Sequence, residues 1–217
     1  NRRFIMQNTL HQQTSLYLKL HAEQPVHWQT WSDDVLAEAR TQDRPIFLSV
    51  GYAGSHWCQV MSRESFSDPA TANVLNEHFC CIKVDREERP DLDKIYLSAM
   101  QLLTQQGGGW PLNLFLDPQN ELPFFAGSYF PAQSQNGQPG FADLLMRLFE
   151  AYDQQREELT GQSKKLANTL KQLAPPVLDP KMDDQALIDA CRATLTERFD
   201  SAEGGFGQSM KFAMPGS

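Results

Sequence analysis

The chain has 217 residues, a hydrophobic fraction of 41% and a formal net charge of −8. That is enough apolar material for one ordinary domain with an appendage. The acidic balance argues against nucleic acid, whose binding is mostly Lys and Arg neutralising phosphates, and no apolar run approaches the roughly 20 residues that cross a bilayer.

Residues 1–31 read as an irregular N-terminal extension, rich in Gln, His and Trp and packed on the domain that follows. A helix is predicted from Ser32 to about Gln42, with Ser32 as N-cap and Trp31 and Leu36 at the two positions of a hydrophobic staple. Asp43-Arg44-Pro45 ends it. Ile46 to Val50 is a nearly continuous apolar run, the pattern of a strand buried on both faces. After the loop Gly51 to Gly54, a helix runs from His56 to about Phe66, and a second starts at Ser67-Asp68-Pro69 and ends near Phe79. Cys80 to Asp85 is the next strand, and a helix covers about Asp91 to Leu103. The Gly107-Gly108-Gly109-Trp110-Pro111 breaker leads into strands at Leu112–Leu116 and Leu122–Ala126, with a turn at Asp117 to Asn120 between them. From Phe141 the helical period returns, with Leu144, Leu145, Leu148, Phe149 and Tyr152 on one face, and weakens toward Leu173 with a break expected at Gly161. Pro175 to Pro180 reads as a linker, Asp183 to Phe199 as another amphipathic helix.

A β–α–β start, two adjacent strands and a closing helix predict an α/β fold, a small mixed sheet flanked by helices. The organisation expected is an extension at 1–31, an α/β domain at 32–174, and a linker with the truncated start of a second domain at 175–217.

Reactive groups in open α/β sheets collect at the carboxyl ends of strands. That singles out Ser55-His56-Trp57-Cys58. Ser55 is an N-cap, which makes Cys58 the third helical residue. Two readings stand for Cys58. Either it is a thiolate stabilised by the helix N-terminus, or it is a small apolar side chain on the inner face of a first turn, which spacing alone favours. His56 either supports that thiolate when protonated or is a solvated helix-start residue. Trp57 is open between an exposed contact and a packed one. Trp110-Pro111 is expected trans on sequence alone, with Pro111 suited to a first strand position. Arg86-Glu87-Glu88-Arg89 reads as a solvated loop with a salt bridge or two. Cys80 and Cys81, adjacent on a strand, should face opposite ways. The four cysteines lack zinc spacing, and His21, His27 and His56 add nothing diagnostic, so neither metal nor cofactor is expected. Unpaired cysteines lean toward a reducing cytoplasm. An opening at Asn1 leaves a periplasmic form open.

Several segments in order resemble one family. They include Leu16-Tyr17-Leu18-Lys19-Leu20-His21-Ala22, Arg44-Pro45-Ile46-Phe47-Leu48-Ser49-Val50-Gly51-Tyr52 and His56-Trp57-Cys58-Gln59-Val60-Met61. Lys83-Val84-Asp85-Arg86-Glu87-Glu88-Arg89-Pro90-Asp91, Gly108-Gly109-Trp110-Pro111-Leu112-Asn113 and Gly127-Ser128-Tyr129-Phe130-Pro131 continue the pattern. Together they are similar to the thioredoxin-like N-terminal domain of the spermatogenesis-associated protein 20 family. The resemblance implies a thioredoxin-like fold, with Ser55 and Cys58 at the two redox-motif positions and Pro111 as the cis-proline facing them. The backbone beside Trp110 would then pair with an extended peptide by β-augmentation. It also implies a following (α/α) barrel like those of sugar-acting enzymes, opening at Gly204-Gly205-Phe206-Gly207 with Lys211-Phe212.

The chain departs from the family pattern where it matters. Ser55 stands for the first cysteine and Gln59 for the following His, and Glu23 and His27 differ from the usual His and Asp. In a thioredoxin cycle the first cysteine attacks and the second resolves the mixed disulfide, and a serine hydroxyl cannot take the first part. The expectation is a domain of thiol–disulfide lineage that does not cycle a disulfide in this form. The alternative is a non-catalytic peptide-binding, chaperone-like or regulatory module for the barrel. The partners expected are a thiol protein, an extended peptide or that barrel.

Overall fold

In a computed structural model of the chain, Ile46–Gly51 (β1) and Cys80–Asp85 (β2) pair in parallel, Ile46 opposite Cys80 and Gly51 opposite Asp85. The structure describes residues 7–135, 137–173 and 183–206. Leu112–Leu116 (β3) lies antiparallel on the other side of β1, and Pro123–Gly127 (β4) antiparallel beyond it. The sheet order is β2-β1-β3-β4. A parallel bridge from Gln29 to Ile82 extends the sheet past β2.

The side-chain alternation of the strands builds two cores. Ile46, Leu48 and Val50 of β1 join Cys80, Ile82 and Val84 of β2 on one face, covered by Asp33–Thr41 (α2), Pro90–Thr104 (α5) and Arg156–Leu173 (α7). Phe47, Cys81 and Phe115 build the other, covered by Leu16–Lys19 (α1), His56–Arg63 (α3), Pro69–His78 (α4) and Phe141–Gln154 (α6). Cys80 and Cys81 thus do face opposite ways. The expected caps form: Ser32 Oγ accepts the N–H of Val35 at 3.3 Å, and Asp68 Oδ2 that of Thr71 at 2.8 Å. Trp31 and Leu36 join the same core cluster.

Two departures have clear causes. The first segment is less irregular than its composition suggests. It holds a 3₁₀ turn at Leu10–Gln12 and the short α1, and it sends Leu10, Tyr17, Leu18, Val26 and Trp28 into the core. Trp28 packs edge-on to Phe66 at 5.0 Å between centroids, while its indole N–H donates to Gln24 Oε1 at 2.9 Å. The long C-terminal helix breaks at Gln155 and not at Gly161. Arg156 pairs there with Asp43 and with the hydroxyl of Tyr152, which fixes a corner. Gly161 is tolerated inside α7 at a cost of about 1 kcal/mol, in open space.

Contacts divide the chain into units of 1–173 and 174–217. The second unit contains Asp184–Arg198 (α8), with no buried residue, and a bridge between Phe199 and Phe206. The predicted linker Pro175 to Pro180, and Gly207, Lys211 and Phe212, lie outside the described residues. Among the described residues no helix is long and apolar enough to cross a membrane.

Candidate functional site

The carboxyl end of β1 delivers the chain into the turn Tyr52 to Ser55, closed by the N–H of Ser55 donating to the Tyr52 carbonyl at 3.2 Å. Ser55 then caps α3. Its Oγ accepts the Cys58 N–H at 3.3 Å and donates to the Trp110 carbonyl at 3.4 Å. One hydroxyl therefore ties the motif to the loop before β3. The Trp110-Pro111 peptide is cis, so the isomer expected from base frequency is not the one present. Ser128 Oγ donates to the Pro111 carbonyl at 2.9 Å, and Asn113 Nδ2 to the Ser128 carbonyl at 2.5 Å. These bonds hold the loop against β4.

The motif's side chains separate by depth. Ser55 is 6% and Cys58 1% exposed, whereas Trp57 is 53% exposed. His56 is exposed and meets the Trp57 ring edge-on at 5.5 Å. The exposed reading of Trp57 is the one observed. Its indole lies 5.1 Å from the ring of Tyr129, whose hydroxyl donates to Glu64 Oε2 at 2.5 Å. Burial, then the Glu64 carboxylate, raises the pKa of Tyr129.

Arg86 is partly exposed and forms one of the expected salt bridges, and it also packs on aromatic rings. Its guanidinium lies 3.9 Å from the centroid of Trp110 and 5.3 Å from that of Tyr52. Asp93 holds both members of the stack: Oδ1 accepts the Trp110 indole N–H at 2.7 Å, and Oδ2 faces Arg86 Nε at 3.5 Å. A cation over Trp with a fixed counter-ion orients the ring that borders Pro111. Arg89 pairs with Asp91 at 2.7 Å, as a solvated charge run predicts.

Beneath the motif lies a lysine. Lys83 of β2 is 1% exposed. Its ammonium donates to Ser49 Oγ at 3.1 Å and sits over the faces of Phe66 at 4.1 Å, Trp28 at 4.6 Å and Tyr17 at 5.4 Å. Burial pulls its pKa down to about 7, against the opposing pull of the Cys58 and Cys81 thiols. Sequence reasoning missed Lys83, Tyr17 and Arg86. The signal for Lys83 was its place two residues after Cys81 on a strand, which puts both side chains on one face. For Arg86 no local signal existed, because Trp110 and Asp93 come from distant segments.

His21 is buried, its Nδ1 2.9 Å from Gln24 Oε1. Burial and the nearby Lys83 lower its pKa well below the usual imidazole range, which keeps it neutral. His27 is only partly buried, and burial with Arg44 lowers its pKa as well. Among the described residues no three His, Cys, Asp or Glu side chains converge as metal ligands.

A four-stranded mixed sheet in this order, a two-position motif at the carboxyl end of its first strand and a cis-proline loop bonded to that motif define a thioredoxin-like domain. The chain belongs to the Thioredox_DsbH family, described as "Protein of unknown function, DUF255", whose pattern matches residues 7–171. Human spermatogenesis-associated protein 20 is 39% identical over 211 residues, covering 96% of this chain and 27% of its own length. An uncharacterised Caenorhabditis elegans protein is 38% identical over 206 residues, covering 94% of this chain and 28% of its own. The chain thus spans about a quarter of these curated relatives. Among solved structures, a DsbH oxidoreductase aligns at a TM-score of 0.43 and 15% identity, over 59% of this chain and 85% of that one. A Thermus thermophilus thioredoxin aligns at 0.36 and 20%, over 58% and 87%.

Proposed function

We propose that this chain is a thioredoxin-like domain of thiol–disulfide lineage that does not turn over a disulfide within its own motif. The observation that carries this reading is the role of Ser55. Its oxygen stands at the first motif position, caps α3 and bonds the cis-proline loop, but it cannot form the mixed disulfide that starts a dithiol cycle. The remaining motif sulfur, Cys58, is buried. Of the other described cysteines, Cys80 and Cys81 are buried in β2 and Cys191 lies in the second unit.

The second reading is a binding module for an extended peptide, and the exposed aromatic surface favours it. Trp57 projects into solvent over Tyr129. Trp110 is held in place by Arg86 and Asp93 beside a backbone suited to β-augmentation. The occupant would be a thiol-bearing or plain extended segment, or part of the (α/α) barrel that the family resemblance leads one to expect.

One comparison separates the two. The native chain and Ser55→Cys are assayed for insulin reduction and for disulfide formation at the motif. The first reading expects no turnover in the native chain, and in the variant a motif disulfide with measurable insulin reduction. A variant that stays reduced and inert leaves the groove as a binding surface and rejects the redox reading.

A further inference from the structure

The start of α1 is fixed against the end of β2. Ser15 Oγ donates to Asp85 Oδ2 at 2.6 Å and accepts the N–H of Leu18 at 3.1 Å. Between them Tyr17 is 2% exposed, and among the described residues its hydroxyl finds no hydrogen-bond partner of ordinary geometry. Leaving a buried hydroxyl unpaired costs stability, so what it faces matters. It faces Cys58. A methyl carbon placed on Gly51 would lie 2.3 Å from Tyr17 Oη and 2.6 Å from Cys58 Sγ. The phenol oxygen and the sulfur therefore close on the same bare Cα, at the end of the strand that feeds the motif. Burial raises the pKa of Tyr17, and the Cys58 sulfur beside it is the next cause, so the phenol keeps its proton.

We propose that Tyr17 is a positioning residue for Cys58, its phenolic O–H donating to the sulfur when that sulfur is charged. This rests on the reading above that the domain is of thiol–disulfide lineage, with Cys58 as the remaining motif sulfur. A thiolate is a far better acceptor than a thiol, so a donor fixed beside the sulfur favours the charged form. The N-terminal segment thus completes a thiol site that α3 begins. The other charged or titratable groups facing Tyr17 and Cys58 are Lys83 and Asp85 of β2, and His21 meets the Tyr17 ring edge-on from the C-terminal side of α1. Tyr17→Phe leaves all of these and the ring packing in place and removes one oxygen.

The test is alkylation of the full chain by iodoacetamide between pH 5 and 10, with Cys58 followed by peptide mass spectrometry. Tyr17→Phe is expected to slow Cys58 alkylation roughly tenfold at pH 7 and to move its pH profile upward by about one unit, with little change in melting temperature. Gly51→Ala, which wedges oxygen and sulfur apart, moves the profile the same way. Coincident profiles in the native chain and both variants overturn the role of Tyr17 and leave the Ser55–Cys58 reading standing. A native Cys58 that stays unmodified throughout, while the exposed Cys191 reacts, overturns the proposal, because no charged sulfur is then there to position, and leaves the absence of disulfide turnover standing.

Discussion

Lys83 is a buried lysine whose position costs the fold stability. Among the described residues its ammonium has one hydrogen-bond acceptor, Ser49 Oγ, and three ring faces. Those faces return part of the desolvation cost, but not enough to hold its pKa at the ordinary value. In the unfolded chain a lysine titrates near ~10.4, and in the folded chain Lys83 titrates at about 7. Between those values the unfolded state binds a proton that the folded state does not. Stability therefore rises with pH across this window and is lost as pH falls back toward 7, below which the penalty is constant. Lys83→Met should remove that slope. At pH 7 the variant should be the more stable protein by roughly 1–4 kcal/mol, as when buried charge is replaced by a hydrophobe of similar size. Urea unfolding of both proteins at pH 7, 8.5 and 10 measures it. Parallel pH profiles would show that Lys83 is not the titrating group.

At the scale of elements, the end of β1 carries a steric requirement that the strand pattern alone conceals. Gly51 has no positive φ to explain it. Its reason is the close approach of Tyr17 and Cys58, which leaves no room for a Cβ. Gly54, in the same turn, would give a Cβ ordinary contact with Tyr52 at 3.5 Å. Gly51→Ala is therefore expected to cost about 1–3 kcal/mol by overpacking, and Gly54→Ala close to nothing. Thermal unfolding of the pair decides it, since equal losses would mean that the approach at Gly51 is not tight. The strands, the N-caps at Ser32, Ser55 and Asp68 and the place of the motif were all legible, because apolar runs and capping residues act over a few positions. What stayed illegible was non-local. The ring cage around Lys83 needs residues 17, 28 and 66 together, and the stack on Trp110 needs Arg86 and Asp93. No window along the chain contains either set.

Over the whole molecule, the N-terminal segment belongs to the core of the first unit. Among the described residues, every buried residue of both core clusters lies at or before Leu166, and α8 buries none. Leu10, Tyr17, Leu18, Val26 and Trp28 all belong to the core on the Phe47 face. Each such side chain contributes about 1.5–3 kcal/mol by burial, and whole domains are stable by only about 5–15 kcal/mol. Removing residues 1–31 also strips two of the three rings from Lys83 and the hydroxyl that bonds Asp85. A chain starting at Ser32 should therefore lose its cooperative urea transition and its near-ultraviolet circular dichroism. A chain ending at Leu173 should keep both, with a midpoint close to that of the full chain. If the chain starting at Ser32 unfolded cooperatively with an undiminished midpoint, the N-terminal segment would be an appendage to the fold. Loss of the transition makes it a structural part of the domain, placed where Tyr17 meets the motif sulfur.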